Sequence, residues 1–236
     1  MIYTQSTQAN SIVYTSIFDT IPYIDTIKQL SSNNMNSYEQ PEEIFIDSIN
    51  IGRKTFNKIE LFKYRTLDSN YVVLKFYSKR NGKWYPKNSF QFEKDGVLSC
   101  DPKLGDFNND KLNDFTYISA IAARSANQVR RLFVYDKQKD QLVDIKNSSD
   151  YPNMLYNKEL NCIDAFLIFG GCSTVFLKLD GDSLRELASV ELYDGLTVTV
   201  YDKNGKGKII YRNKKVKDRY IRYKNYHPLK EYTVYY

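Results

Sequence analysis

The sequence predicts an all-β fold built from antiparallel hairpins, and three observations carry that reading. The chain holds 21 Tyr and 13 Phe with repeated Val and Ile runs, residue types that suit a pleated, half-buried surface. From about residue 43 onward, short β-rich runs recur between clusters of turn residues, which is the pattern of many short strands. Only 10 Gly and 6 Pro occur in 236 residues, too few for a linker or a fibrous chain. No run approaches the ~18 apolar residues of a membrane-spanning helix. These features fit a β-sandwich, a barrel or a small propeller. The spacing is too uneven for a strict repeat.

Taken in order, residues 1–40 are rich in Ser, Thr, Asn and Gln and are expected to form a polar tether. Within them, 17–30 fits either an amphipathic helix or an edge strand. Residues 41–236 are expected to form one all-β domain. Its first strands are expected over 44–51, 58–64, 71–77 and 89–93. Between the last two, Asn81-Gly82 is a strong hairpin signal, because a type I′ turn needs positive φ at both central residues. Later strands are expected over 115–121, 129–135, 160–169, 174–179, 184–192, 196–201, 208–212, 220–223 and 231–235. Their turns include 136–140, Asp180-Gly-Asp182 and 202–205.

The most informative stretch is 106–114, Asp-Phe-Asn-Asn-Asp-Lys-Leu-Asn-Asp. Oxygen-bearing side chains fall at positions 1, 3, 5 and 9 of a tight loop: Asp106, Asn108, Asp110 and Asp114. Leu112 stands at position 7, where a backbone carbonyl supplies a fifth oxygen. Ca²⁺ takes six to eight oxygen ligands from such loops. An EF-hand would place Gly at position 6 and Glu at position 12. Lys111 and Tyr117 stand there instead, and a β-rich run follows, so the EF-hand framework fails. The bland alternative is an Asx-rich turn without an ion. Three carboxylates within nine residues need a counter-charge, which favours the metal.

In the form Gly-Asp-Phe-Asn-Asn-Asp-Lys-Leu-Asn-Asp-Phe, residues 105–115 resemble the calcium loop of FG-GAP/VCBS repeats. In those repeats the loop joins strands of propeller-like folds. Lys111 replaces the usual Gly, at a position that often requires φ > 0, and brings a cation near the metal. Residues 101–192 are similar, in their order of loop, strand and hairpins, to a bacterial periplasmic family with a degenerate FG-GAP-type fold. That family includes inhibitors of lysozyme-type muramidases. The resemblance implies a small propeller-like arrangement, one structural Ca²⁺ and an unidentified protein or envelope component as partner. It also implies a periplasmic or extracellular setting. The N-terminus, Met1-Ile-Tyr-Thr-Gln-Ser, lacks the regions of a signal peptide. That leaves a cytosolic chain or a mature exported one, and the calcium loop favours export, since a weak site suits extracellular ion levels.

Charge offers a second lead. Eleven Lys and Arg and one acid, Asp218, lie between Lys203 and Lys230, a segment of +10 that leaves −4 for the rest of a +6 chain. Lys214, Lys215, Lys217, Arg219 and Arg222 are the candidate polyanion contacts, interleaved with Tyr201, Tyr211, Tyr220, Tyr223 and Tyr226. The plainer reading is a final hairpin with Lys outward and Tyr inward. Nucleic acid is not the expected partner. Arg124, Arg130 and Arg131 fit partners of nearby acids better than an anion site. A basic inhibitor would meet repulsion from a basic lysozyme, which counts against muramidase inhibition.

Enzyme chemistry finds little support. His227 is the single His, and no nucleophile elbow, P-loop or dinucleotide fingerprint occurs. Cys100, Cys162 and Cys172 include no Cys-x-x-Cys pair and read as buried or idle thiols in preference to a Cys162–Cys172 bridge, which needs the chain to fold back at Gly170-Gly171. The segment from Asp202 to Lys208 copies the start of the ion loop. Lys206 occupies position 5, so a hairpin turn is expected there. The sequence thus points to a non-enzymatic binding protein.

Overall fold

A computed structural model describes residues 40–96, 98–217 and 220–232. Apart from Gln40, the expected tether lies outside the described residues. The described chain is β throughout, with one short 3-10 turn at Ser148–Asp150 and no α-helix. No helix among the described residues is long and apolar enough to cross a membrane.

Three open antiparallel meanders follow one another. The first sheet runs β1 (Glu43–Asp47), β2 (Asn57–Arg65), β3 (Asn70–Arg80) and β4 (Lys83–Glu93). The second runs β5 (Lys103–Gly105), β6 (Asp114–Ala122), β7 (Asn127–Asp136) and β8 (Gln141–Asp144). The third has six strands: β9 (Leu155–Asn157), β10 (Cys162–Ile168), β11 (Cys172–Asp180), β12 (Ser183–Leu192), β13 (Leu196–Tyr201) and β14 (Gly207–Asn213). A hairpin of β15 (Tyr223–Tyr226) and β16 (Leu229–Glu231) completes the chain. In every sheet the strand order equals the chain order, which is the connectivity of a β-meander.

The local chemistry explains most boundaries. Asn81 and Gly82 have φ of 47° and 77°, as the β3–β4 hairpin requires. β1 stops at Asp47, four residues earlier than expected. The Asp47 carboxylate accepts hydrogen bonds from the amides of Ile49, Asn50 and Ile51 and turns the chain. β4 begins six residues before the expected strand, even though Pro86 lies inside it. Pro is tolerated because β4 is an edge strand with a register shift opposite Phe76 and Tyr77. The short strands β5, β8 and β9 were not expected. The last hairpin turns at His227 and Pro228, with strands at 223–226 and 229–231 where 220–223 was expected; of the strand expected over 231–235, residues 233–235 lie outside the described residues.

The sheets pack face to face. In β7, Phe133 and Tyr135 point toward the first sheet and, with Phe115 and Tyr117 of β6, meet its Phe45, Leu74 and Phe76. Leu132 and Val134 point the other way, to Ile163, Val175, Leu177 and Leu184 of the third sheet. Period-two alternation thus lets the second sheet bury both faces. Phe133 is fully buried, with ring centroids 5.2 Å from Phe90, 5.8 Å from Phe92 and 6.1 Å from Tyr117. Burial of one such ring stabilises by about 1.5–3 kcal/mol. The far face of the third sheet packs Phe176, Val190 and Val198 beneath Tyr223 of the last hairpin.

Candidate functional site

The acidic loop connects β5 to β6, and Gly105 pairs with Asp114 across its mouth. Its own side chains fold it. The Asp106 carboxylate accepts hydrogen bonds from the amides of Asn108 (3.3 Å), Asp110 (3.2 Å) and Lys111 (2.9 Å). Asn108 Oδ1 accepts from Asp110 N at 3.1 Å, and Asp110 Oδ1 accepts from Leu112 N at 2.9 Å. Asn109 and Lys111 adopt φ of 61° and 68°, so the conformation at position 6 is the one that glycine favours. Leu112 packs against the core between the first and second sheets.

Asp114 lies deepest. Its side chain is fully buried. Oδ2 accepts from Phe107 N at 2.7 Å and Oδ1 from Tyr135 N at 2.9 Å, which joins the loop to β7. Burial pushes the Asp114 carboxyl up to about 7; the two amides oppose that rise, and the Asp110 and Asp106 carboxylates reinforce it. Beside it, Asn113 ties the loop to the first sheet. Its amide donates to Asn50 O at 3.0 Å, and its carbonyl accepts from Gly52 N at 2.9 Å.

By chemistry the donor set suits a hard cation: three carboxylates, one side-chain amide and the Leu112 carbonyl. An ionised carboxylate has roughly four acceptor sites, and the loop amides occupy only part of that capacity. Among the described residues, no group of three or more His, Cys, Asp or Glu side chains is arranged to hold a metal ion. The side-chain oxygens instead accept the loop's own amides and, at Asp114, the amide of Tyr135 in β7.

The basic segment divides. Lys214, Lys215 and Lys217 are exposed, Arg219 lies outside the described residues, and Arg222 is buried. Arg222 therefore does not belong to an exposed cationic surface. Its Nε donates to Asp164 Oδ1 at 2.8 Å, and its Nη2 donates to Asp164 O at 3.1 Å. The inward-tyrosine pattern holds at Tyr223, which is buried, and fails at Tyr211 and Tyr220, which are 47% and 62% exposed. In the turn after β13, Asp202 Oδ1 accepts the amides of Asn204 (2.8 Å) and Lys206 (2.9 Å), with Gly205 at φ 77°. That is a hairpin turn, as expected.

The other candidates are structural. Arg130 donates to Asp101 Oδ2 and Thr116 Oγ1, each at 3.1 Å, and Arg131 lies 3.8 Å over the Phe92 ring. Cys100, Cys162 and Cys172 are free and buried. Burial pushes the thiols up to about 12, 12 and 11 respectively, so all three stay protonated and inert near neutrality. Cys172 pairs with Ile168, at the opposite end of β10 from Cys162, and a strand's length separates the two sulfurs.

One feature escaped the sequence. A cavity of about 470 Å³ opens beside β14, lined by Val198, Ile210, Tyr211, Tyr226, His227 and Leu229. Its walls come from β13, β14 and the last hairpin, and no linear motif brings them together.

No family model and no curated protein sequence matches the chain. Among solved structures it is similar to one described as a Xanthomonas Type IV secretion system related protein. Identity is 8%, the TM-score is 0.45, and the alignment covers 75% of this chain and 98% of that one. Likeness at this level carries no argument about function.

Proposed function

We propose that this chain is an exported, non-enzymatic recognition protein whose acidic loop holds one structural Ca²⁺. The observation that carries the reading is Asp114. It is a fully buried carboxylate, pushed up by desolvation and by Asp106 and Asp110, at the junction of the first and second sheets. A divalent cation supplies the positive charge that such a cluster lacks. Asp106, Asn108, Asp110, the Leu112 carbonyl and Asp114 would hold it. Recognition of a muramidase is the specific form of this reading, drawn from the loop's resemblance to periplasmic inhibitors.

Thermal unfolding in EDTA and in millimolar Ca²⁺ tests the metal, on wild type and Asp110→Ala. A ligand that binds only the folded state raises its stability. A Ca²⁺-dependent rise in the wild-type midpoint, absent from the variant, is expected; no rise in either protein sinks the calcium reading. Saturable loss of muramidase activity on titration with the protein tests the partner, and an unaffected enzyme rules that partner out.

A second reading is polyanion binding through the basic segment. It is favoured by the exposure of Lys214, Lys215 and Lys217, none of which makes an ion pair among the described residues. Salt-sensitive retention on heparin that is abolished by charge reversal at those three lysines is the expected result.

A further inference from the structure

Among the described residues, β14 is the outermost strand of the third sheet and pairs only with β13. Natural edge strands are normally short, bulged, charged or covered, and β14 has one bulge and the charges of Lys208 and Arg212. It nonetheless runs seven residues, and every residue from Gly207 to Arg212 is exposed. Ile209, Ile210 and Tyr211 are 50%, 41% and 47% exposed. Ile209 and Tyr211 pair with the consecutive residues Thr199 and Val198 of β13, which point to opposite faces, so apolar surface lies open on both sides of the same edge.

The charge on and just beyond it is mostly positive, between Asp202 and Asp218. Residues 203–217 contain Lys203, Lys206, Lys208, Arg212, Lys214, Lys215 and Lys217 and no acid. None of the seven forms an ion pair among the described residues. Such a cluster repels a second copy of the same edge and attracts an acidic strand. A register shift between Val198 and Thr199 leaves Ile210 without a partner on β13. Ile210 is also one wall of the apolar cavity of about 470 Å³ between β14 and the last hairpin. An open backbone edge, alternating pockets and complementary charge are the components of strand-addition recognition.

We propose that the open edge of β14 receives an extended acidic segment of a partner protein by strand addition, with one apolar side chain of that segment in the adjacent groove. Main-chain hydrogen bonds supply the pairing, and the lysines meet the segment's carboxylates. The groove selects the anchor. A bare polyanion would use the charge and leave Ile209, Ile210 and Tyr211 in water. The proposal deepens the recognition reading and rests on its premise that the chain works by binding, but it does not involve the calcium loop.

The test uses three short fluorescent peptides in calcium buffer with the full chain. One alternates Glu and Val around a central Phe, one carries Lys for every Glu, and one keeps the charge but has Pro at every second position. The first is expected to bind at least tenfold more tightly than the other two. Ile210→Asp is expected to weaken it at least tenfold while leaving the thermal midpoint in place. Equal binding of the proline peptide, or no binding of the first, overturns strand addition; the former outcome assigns the surface to polyanions. Concentration-dependent dimerisation that Ile210→Asp abolishes overturns it in favour of a second copy. The calcium response is measured on the same preparation. A chain that answers Ca²⁺ but ignores the peptide loses only the edge assignment, and one that binds peptide without a calcium response loses only the metal.

Discussion

The Asp140 carboxylate accepts a hydrogen bond from the Ser78 hydroxyl at 2.6 Å, although 62 positions separate the two residues. The contact joins the turn between β7 and β8 to the end of β3, and so ties the second sheet to the first. The same carboxylate accepts from Asn57 Nδ2 at 3.0 Å and from the Tyr135 hydroxyl at 2.8 Å, and it meets Arg53 Nη2 at 2.9 Å. Burial alone would raise its pKa. The hydrogen bonds from Ser78, Asn57, Tyr135 and Arg53 outweigh that and hold the carboxyl well below the usual carboxylate range.

A depressed folded pKa stabilises above the unfolded value, near 3.9, and that contribution is lost as pH falls below it. Asp140→Asn is expected to cost about 2 kcal/mol at neutral pH, the scale of charged hydrogen bonds. The cost should shrink as pH falls below about 4. Urea unfolding of both proteins at pH 7 and pH 3 measures this. An equal cost at both values would show that the hydrogen-bond geometry, and not the charge, holds the junction.

Arg222 and Asp164 make a second buried tie, with side chains 4% and 0% exposed. Asp164 also accepts from Asn157 Nδ2 at 3.0 Å and from the Tyr232 hydroxyl. Removing one member of a buried pair leaves an uncompensated charge, at a cost of roughly 3–5 kcal/mol. Arg222→Met should lose about that much, and Asp164→Leu/Arg222→Met should recover most of it. Denaturant midpoints of the single and double variants decide the matter. A double variant as unstable as the single one would mean that the pair holds the final hairpin through shape and not through charge balance.

Lys111 carries φ 68° in the acidic loop, a conformation that costs a non-glycine residue about 1–2 kcal/mol. Lys111→Gly removes that strain but adds about 0.5–1 kcal/mol of unfolded-chain entropy. A rise of about 0.5–1 kcal/mol in stability is expected in EDTA. The loss of a cation beside Asp106 and Asp110 should also tighten Ca²⁺ binding. Unfolding curves and a calcium titration of the variant check both. A lower midpoint in EDTA would show that the lysine side chain contributes more than its backbone costs.

Local chemistry was enough to read much of this protein. Aromatic and β-branched runs marked the β class, Asn81-Gly82 marked its hairpin, and Asp202 with Gly205 marked a turn, because each of these acts on its own few neighbours. The acidic loop was legible for the same reason: Asp106, Asn108 and Asp110 bond the amides two to five residues on. The strand over 129–135 was legible from its own residues, but not which sheets cover its two faces. Tertiary structure alone decided what depends on distant segments meeting. It turned Asp140 from a turn residue into an inter-sheet tie and drew Arg222 out of the basic surface into an ion pair with Asp164. It also left β14 open on both faces beside a groove that three separate elements build. Backbone preference is set within a few residues, whereas burial, pairing and exposure are set by whatever the fold brings alongside.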